Sequence, residues 1–353
     1  MKRDALAFSR PAHLQAKEPA EDRGQARDEV RLLVTTPDGS IHGSFRDLPR
    51  FLGRGDVLVV NDSATLPASL PARGSLGPFI LNLSTRYGGG LWLAEPRWSA
   101  SEPGPLPLEA GQSFEVGGMT AELVARYPGL PRLWFVRMSG DVEAALVRFG
   151  TPIRYGYVDR DYPLEAYQTV FARTPGSAEM PSAARPFTER VLEDLAAGGV
   201  TLAPLTLHTG VSSLEVEAEE VEDQAMYPEP FEVPAATADV VNAAASEGHR
   251  VIAVGTTAVR ALESAYDGQR VRATRGFTRL YIHPDRGINV VDGLLTGFHD
   301  PMASHLAMLF AIAGQELVRS SYAEAVAAGY LWHEFGDSNL ILPRQRSRPS
   351  LAA

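Results

Sequence analysis

The sequence predicts an α/β protein: a mostly parallel sheet with helices, plus an inserted all-β, barrel-like domain. Three observations predict it. Beyond residue 141, strand-like apolar runs alternate with helical ones, the pattern that builds parallel sheets through helical crossovers. Between about Leu70 and Gly140 the text changes to short β-rich runs punctuated by Gly and Pro, with hardly any helical periodicity. The chain has 353 residues, 44% of them hydrophobic, enough for two domains with a sizeable core. The division expected is an N-terminal tail over 1–30, an α/β domain over 31–69 and 141–353, and a β-barrel domain over 70–140.

The elements follow in order. RLLVTT from Arg31 reads as a strand, a Pro-Asp-Gly-Ser turn leads to a second, and a short helical piece precedes the apolar strand DVLVVN ending at Asn61. FILNLS, LWLAEP, SFEV, TAELVARY and LWFVRM supply the barrel strands. Asp141 is placed to cap the helix VEAALVRF, closed by Gly150, and the Pro- and Tyr-rich TPIRYGYVDRDYP reads as an irregular loop. Thr188 is placed to cap a second helix running to Gly198-Gly199. Strand TLAPLTLH, helix TADVVNAAASEG, strand VIAV and helix TAVRALESA then follow, and RQRSRPSLAA reads as a frayed basic end.

Composition removes several classes of chemistry. The chain has no cysteine, so disulfides, thiolate metal sites and cysteine nucleophiles are excluded, which fits a reducing compartment. The first residues mix both charges without the apolar core of a signal peptide, and no stretch approaches bilayer-spanning length. A cytoplasmic protein without a membrane partner is therefore expected. A formal charge of -10 disfavours a general grip on phosphates but leaves room for a local basic patch.

Four segments carry candidate chemistry. In VIAVGTTAVRALE a buried strand runs through Gly255 into Thr256 and Thr257 at a helix start, where backbone N–H groups and hydroxyls converge on a point that favours an anion. An ordinary threonine-capped turn would read the same way. Arg260 lies one turn into that helix, able to meet a carboxylate or to pair with Glu263. In TLHTGVSS, His208 ends a strand and is followed by Thr209, Gly210, Ser212 and Ser213 at a place where α/β sheets hold ligands. This histidine is either a base or hydrogen-bond donor, or a strand-end residue tied to backbone.

His299 in LLTGFHDP, beside Asp300, has the same two readings. Asp337 in HEFGDSN is placed to hold a ribose hydroxyl or to make a turn through its own backbone. No histidine pair has trusted metal-ligand spacing; His299 and His305 lie six apart, off a common helical face. No metal is expected, and no G-x-S-x-G elbow supports a nucleophilic serine.

Taken in order, NDSATLPASL, AYQTVFA, TLHTGVSSLEVE, EDQAMYPEPFEVP, VIAVGTTAVRALE, FTRLYIHP, LLTGFHDP and FGDSNLIL resemble the S-adenosylmethionine:tRNA ribosyltransferase-isomerases, from about Arg31 to Leu342. The resemblance implies an α/β domain with an inserted β-barrel. It also implies a step of queuosine biosynthesis, in which the ribosyl part of S-adenosylmethionine (SAM) moves onto a 7-aminomethyl-7-deazaguanine base in tRNA. Epoxyqueuosine forms, and adenine and methionine are released. SAM is then the substrate, with no metal or redox cofactor. The sulfonium acidifies the adjacent ribose C5′ hydrogen, so a positioned base generates an ylide; His208 and His299 are the candidates. The Gly255–Thr257 turn and Arg260 would hold the methionine carboxylate, and Thr209, Gly210, Glu229 and Asp337 complete the expected substrate-binding set.

The family pattern is also broken at definite places. Ala64 and Ser69 stand where two arginines are expected, Pro186 replaces a histidine with Arg185 newly beside it, and Gln224 and Tyr227 stand where two histidines are expected. Gly297 replaces an asparagine. These changes bear on tRNA as a partner, because arginine supplies fixed bidentate donors that Ala and Ser cannot mimic. Besides the family reaction, two expectations stay open. One is a SAM-using enzyme acting without tRNA, by intramolecular cyclisation or elimination giving methylthioadenosine or by transfer to a small acceptor. The other is a non-catalytic nucleoside- or tRNA-binding protein.

Overall fold

The computed structural model describes residues 1–211 and 215–344. Ser212 and Ser213, and the basic tail from Gln345 onward, lie outside the described residues. The strands and helices are β1 (Arg31–Thr36), β2 (Gly39–Ser44), β3 (Val57–Asn61), β4 (Ser63–Thr65), β5 (Ser69–Gly74), β6 (Gly77–Gly88), β7 (Leu91–Arg97), β8 (Ser113–Val116), β9 (Met119–Tyr127), β10 (Leu130–Ser139), α1 (Val142–Phe149) and β11 (Thr174–Ser177). There follow α2 (Glu189–Ala197), β12 (Thr201–Leu207), β13 (Glu229–Val233), α3 (Ala235–Glu247), β14 (Val251–Val254), α4 (Thr256–Ala265), β15 (Thr274–Thr278), β16 (Gly293–Gly297), α5 (Ser304–Ala313), α6 (Gln315–Ala327) and β17 (Ser338–Ile341).

Nine strands form one sheet in the order β15-β13-β12-β3-β14-β16-β17-β1-β2. Its centre, β12-β3-β14-β16, is parallel, as the strand–helix alternation predicts, while β13, β15 and β2 pair antiparallel at the flanks and β17 is antiparallel to β16. The sheet is therefore mixed. β3 and β14 are buried at every position, because a central parallel strand is covered on both faces. Val57 and Val59 point into a core shared with α3, α4 and α5, while Leu58 and Val60 join the opposite core beside α2. This is the period-2 alternation of a strand read twice over.

The barrel is closed, in the order β10-β7-β6-β5-β8-β9, with every pairing antiparallel. Its interior holds Leu70, Leu81, Leu83, Leu123 and Trp134. Closure removes exposed strand edges, so this unit needs no covering helices. The caps expected at Asp141 and Thr188 are present: Asp141 accepts from the Ala144 N–H at 3.0 Å and Thr188 from the Val191 N–H at 3.5 Å.

Residues 1–30, expected as a tail, lie against the α/β body. Three short 3-10 turns bury Leu6, Leu14 and Asp28; Ala16 and Ala20 are buried between them and Val30 just after the third. Leu14 and Ala16 exchange backbone hydrogen bonds with Trp332. Their apolar residues follow neither helical nor strand period, so no pattern announces the docking. Among the described residues, no helix is long and apolar enough to cross a membrane.

Candidate active site

The parallel centre of the sheet sends the ends of β12, β14 and β16 to one side, where Thr209, Gly255–Thr257 and Thr296–Pro301 line a cleft of about 350 Å³. Tyr155, Tyr157, Glu179, His333 and Glu334 line it as well. A smaller annex, walled by Tyr227, Glu229, Arg260, Tyr281 and Met308, shares Thr209, Thr256, Thr257 and His305 with the cleft.

The Gly255 turn is built for a sharp entry into α4. Gly255 has φ 84° and ψ 155°, open to glycine and strained for any other residue, and its N–H donates to Leu295 across the sheet at 2.8 Å. Asn61, at the end of β3, fixes the surroundings: its side-chain amide donates to Leu207 O at 2.8 Å and to Thr257 Oγ1 at 3.2 Å, and its carbonyl accepts from Leu207 N at 3.0 Å.

Arg260 is 9% exposed. Its carboxylate partner is Glu229, and its Nε donates to Leu280 O at 3.1 Å. Glu229 in turn accepts from the Gly210 N–H at 2.7 Å. The i+3 neighbour Glu263 is engaged elsewhere, by Arg286 at 2.9 Å and by the backbone of Asn289 and Val290 at 2.7 Å. Arg260 Nη2 is buried without a hydrogen-bond partner among the described residues. A buried guanidinium nitrogen left unmatched is costly, and here it belongs to a residue lining the annex.

His299 and His305 both line the cleft. His299 Nε2 is 3.0 Å from Thr296 Oγ1, and its backbone is held by Tyr322 OH at 3.2 Å and Trp332 Nε1 at 3.0 Å. Burial holds the His299 imidazole well below its ordinary range, and His305 and His333 add to the effect. Burial likewise lowers His305 to about 4, with Arg260 and His333 contributing. Both rings are held in the neutral form near pH 7, and burial makes each a weaker proton acceptor than a free imidazole.

His208 and Asp337 do not line the cleft. His208 Nδ1 is 2.7 Å from Ser63 Oγ, which is 2.6 Å from Ser177 Oγ, a chain that joins β4 and β11 to the end of β12. A side chain at Gly176 would put its Cβ 2.5 Å from this imidazole. Burial lowers the His208 pKa while Asp62 opposes it. Asp337 does not make a turn through its own backbone; it ties its loop to the start of β1, accepting from the N–H groups of Arg31 at 2.8 Å and Leu331 at 2.7 Å. Thr209 and Gly210 stay at the site, Thr209 in its lining and Gly210 holding Glu229.

Sequence reasoning missed one wall. Tyr155 and Tyr157 stack at 5.4 Å and 9°, with the His333 ring 4.6 Å from Tyr157. Tyr155 OH donates to Glu179 at 2.7 Å. Burial and the Glu179 charge raise Glu334 to about 8, against Arg185. The signal available was two tyrosines two apart in a loop otherwise read as irregular. The departures from the family pattern make structural contacts. Gln224 accepts from Glu217 N at 2.7 Å, Tyr227 donates to Val211 O at 2.9 Å, and Arg185 is paired with Glu21 at 3.0 Å.

Three comparisons bear on this geometry. A family model described as queuosine biosynthesis protein matches residues 3–341. A Thermus thermophilus protein named S-adenosylmethionine:tRNA ribosyltransferase-isomerase is 41% identical over 339 residues, covering 94% of this chain and 97% of its own. A Rubrobacter xylanophilus protein of the same name is 40% identical over 351 residues, covering 98% and 99%. The crystal structure of an S-adenosylmethionine tRNA ribosyltransferase from Thermotoga maritima superposes with a TM-score of 0.54 at 26% identity, covering 96% of this chain and all of that one.

Proposed function

The chain belongs to the family of queuosine biosynthesis proteins, and from that membership we propose that it is a SAM:tRNA ribosyltransferase-isomerase. It transfers and isomerises the ribosyl moiety of SAM onto 7-aminomethyl-7-deazaguanine in tRNA. What supports the reading is a neutral histidine in the cleft and an anion-seeking arginine in the adjoining annex, the two pockets sharing Thr209, Thr256, Thr257 and His305. The start of α4 and the unmatched Arg260 Nη2 take the methionine carboxylate. His299, neutral and oriented by Thr296, takes the C5′ proton that the sulfonium acidifies. A cleft of about 350 Å³ is in the range of small-molecule sites, and the Tyr155–Tyr157 stack offers a ring face to a purine.

In this reading SAM is the sole small-molecule substrate, the acceptor is tRNA, no metal takes part, and the reaction runs in the cytoplasm. Glu229 positions Arg260, while His208 and Asp337 support the walls rather than touch substrate. The SAM-only and binding-only readings gain no support: Gln224, Tyr227 and Arg185 are held by ordinary structural contacts. The test is mass spectrometry of products from purified protein and SAM, with and without tRNA bearing the aminomethyl base. Adenine and methionine released only with that tRNA support the reading; methylthioadenosine without tRNA rejects it.

A further inference from the structure

The outermost strand on one side of the sheet is β15, which pairs with β13 alone within the sheet. Its residues alternate. Thr278 turns inward, buried against Ser264 at 2.6 Å, whereas Arg275, Phe277 and Arg279, two apart, are exposed. Phe277 is 53% exposed, unusual for a side chain of that size on a sheet edge. The Arg275 side chain is 85% exposed, with Glu232 at 3.9 Å as its ion-pair contact. On a chain of net charge -10, the exposed Arg275 and Phe277 of β15 and the exposed Arg279 just past its end place two cations around an aromatic ring in one exposed strip.

The strip continues onto the barrel and toward the site. The Phe277 ring lies 5.8 Å from Tyr87 of β6, which lies 5.9 Å from Phe135 of β10. Thr278 is in register with Glu229, the partner of Arg260, and Leu280 and Tyr281, just past the strip, line the annex. A nucleotide stacked on Phe277 would therefore stand at the junction of the two folded units, a few residues before the Leu280 and Tyr281 that line the annex.

We propose that the exposed Arg275 and Phe277 of β15, with Arg279 just past the strand end and extended by Tyr87, form the platform on which an unpaired base of an RNA loop stacks near the annex, its phosphates neutralised by the two arginines. Aromatic faces accept any base, and splayed loop bases are the parts of RNA that proteins read by stacking. The arginines supply the charge that steers the backbone and makes binding salt-dependent. This inference rests on the tRNA-acting reading above and adds where the RNA is held.

The test uses the full chain and a fluorescent RNA stem–loop, with the fully paired duplex as control. Phe277→Ala is expected to weaken stem–loop binding about 5- to 100-fold with little effect on the duplex, Phe277→Trp to restore it, and the Arg275→Ala/Arg279→Ala pair to flatten the salt dependence. SAM binding by calorimetry stays unchanged in all of them. Wild-type affinity in Phe277→Ala, when the wild type turns over with tRNA, would overturn this inference and leave the functional reading standing. A wild type that binds neither tRNA nor the stem–loop overturns both. A changed oligomeric state with unchanged RNA affinity makes β15 an edge for a second copy instead, and also overturns it.

Discussion

The imidazoles of His299 and His305 stack with centroids 4.5 Å apart and planes within 7°. One comes from the loop after β16 and the other from the first turn of α5. Protonating either ring would put a charge against its neighbour inside a buried site that also holds Arg260, so the resting pair is favoured neutral and a proton taken up by His299 is held only transiently. A histidine whose folded pKa is lowered contributes stability that is present above its ordinary value and lost as pH falls through the folded one. The melting temperature is therefore expected to fall between about pH 6.5 and about pH 4. His305→Phe, which keeps a flat ring, should reduce that fall by roughly 1–3 kcal/mol, read by calorimetric melts across the window.

Glu334 gives the opposite slope. Its folded pKa is raised to about 8, so the stability it contributes is full below its ordinary value and is lost as pH rises through about 8. Glu334→Gln removes the buried charge and should flatten this loss, leaving the variant more stable than wild type by roughly 1–3 kcal/mol at alkaline pH. Urea melts on both proteins at acid and alkaline pH check the sign.

Arg260→Ala should weaken SAM binding by roughly 1.5–3 kcal/mol, the worth of a hydrogen bond to a charged group. Arg260→Lys should not restore it, because an ammonium cannot reach Glu229, Leu280 O and a substrate carboxylate in one plane. Isothermal calorimetry measures both, and wild-type affinity in Arg260→Ala removes the arginine from the substrate site.

Gly210→Ala should destabilise the fold by about 2–4 kcal/mol. A Cβ there would lie 2.3 Å from Ser84 Oγ and 2.5 Å from Tyr227 OH, atoms of the barrel and of the segment before β13. Because the Gly210 N–H also holds Glu229, SAM affinity should drop with stability. A variant that melts like wild type contradicts the packing at this junction.

The sequence announced most of the scaffold and only part of the site. The buried run VIAVGTTAVRALE has one reading in the fold, and the residues it carries, Gly255 to Arg260, stand at the cleft because strand, turn and helix are local features. His299 and His305 lie six apart, off a common helical face, yet the turn between His299 and α5 brings the rings together. Tyr155, Tyr157 and Glu334 were missed for the same reason: they meet only through tertiary packing, from loops with no period to read. Asp337 and His208 show the converse, residues of the right type at the right strand ends that the fold spends on its own backbone and hydroxyls.

The central claim, that the ribosyl group of SAM ends on tRNA, is tested most directly by following ribose-labelled SAM into the acceptor. Purified protein is incubated with labelled SAM and tRNA carrying the aminomethyl base, and the tRNA is digested and its nucleosides weighed. Label in a nucleoside heavier than the starting base by the transferred ribosyl part, with unlabelled adenine and methionine released, is the predicted result. Label recovered only in methylthioadenosine or another small molecule, with the tRNA unchanged, would contradict it.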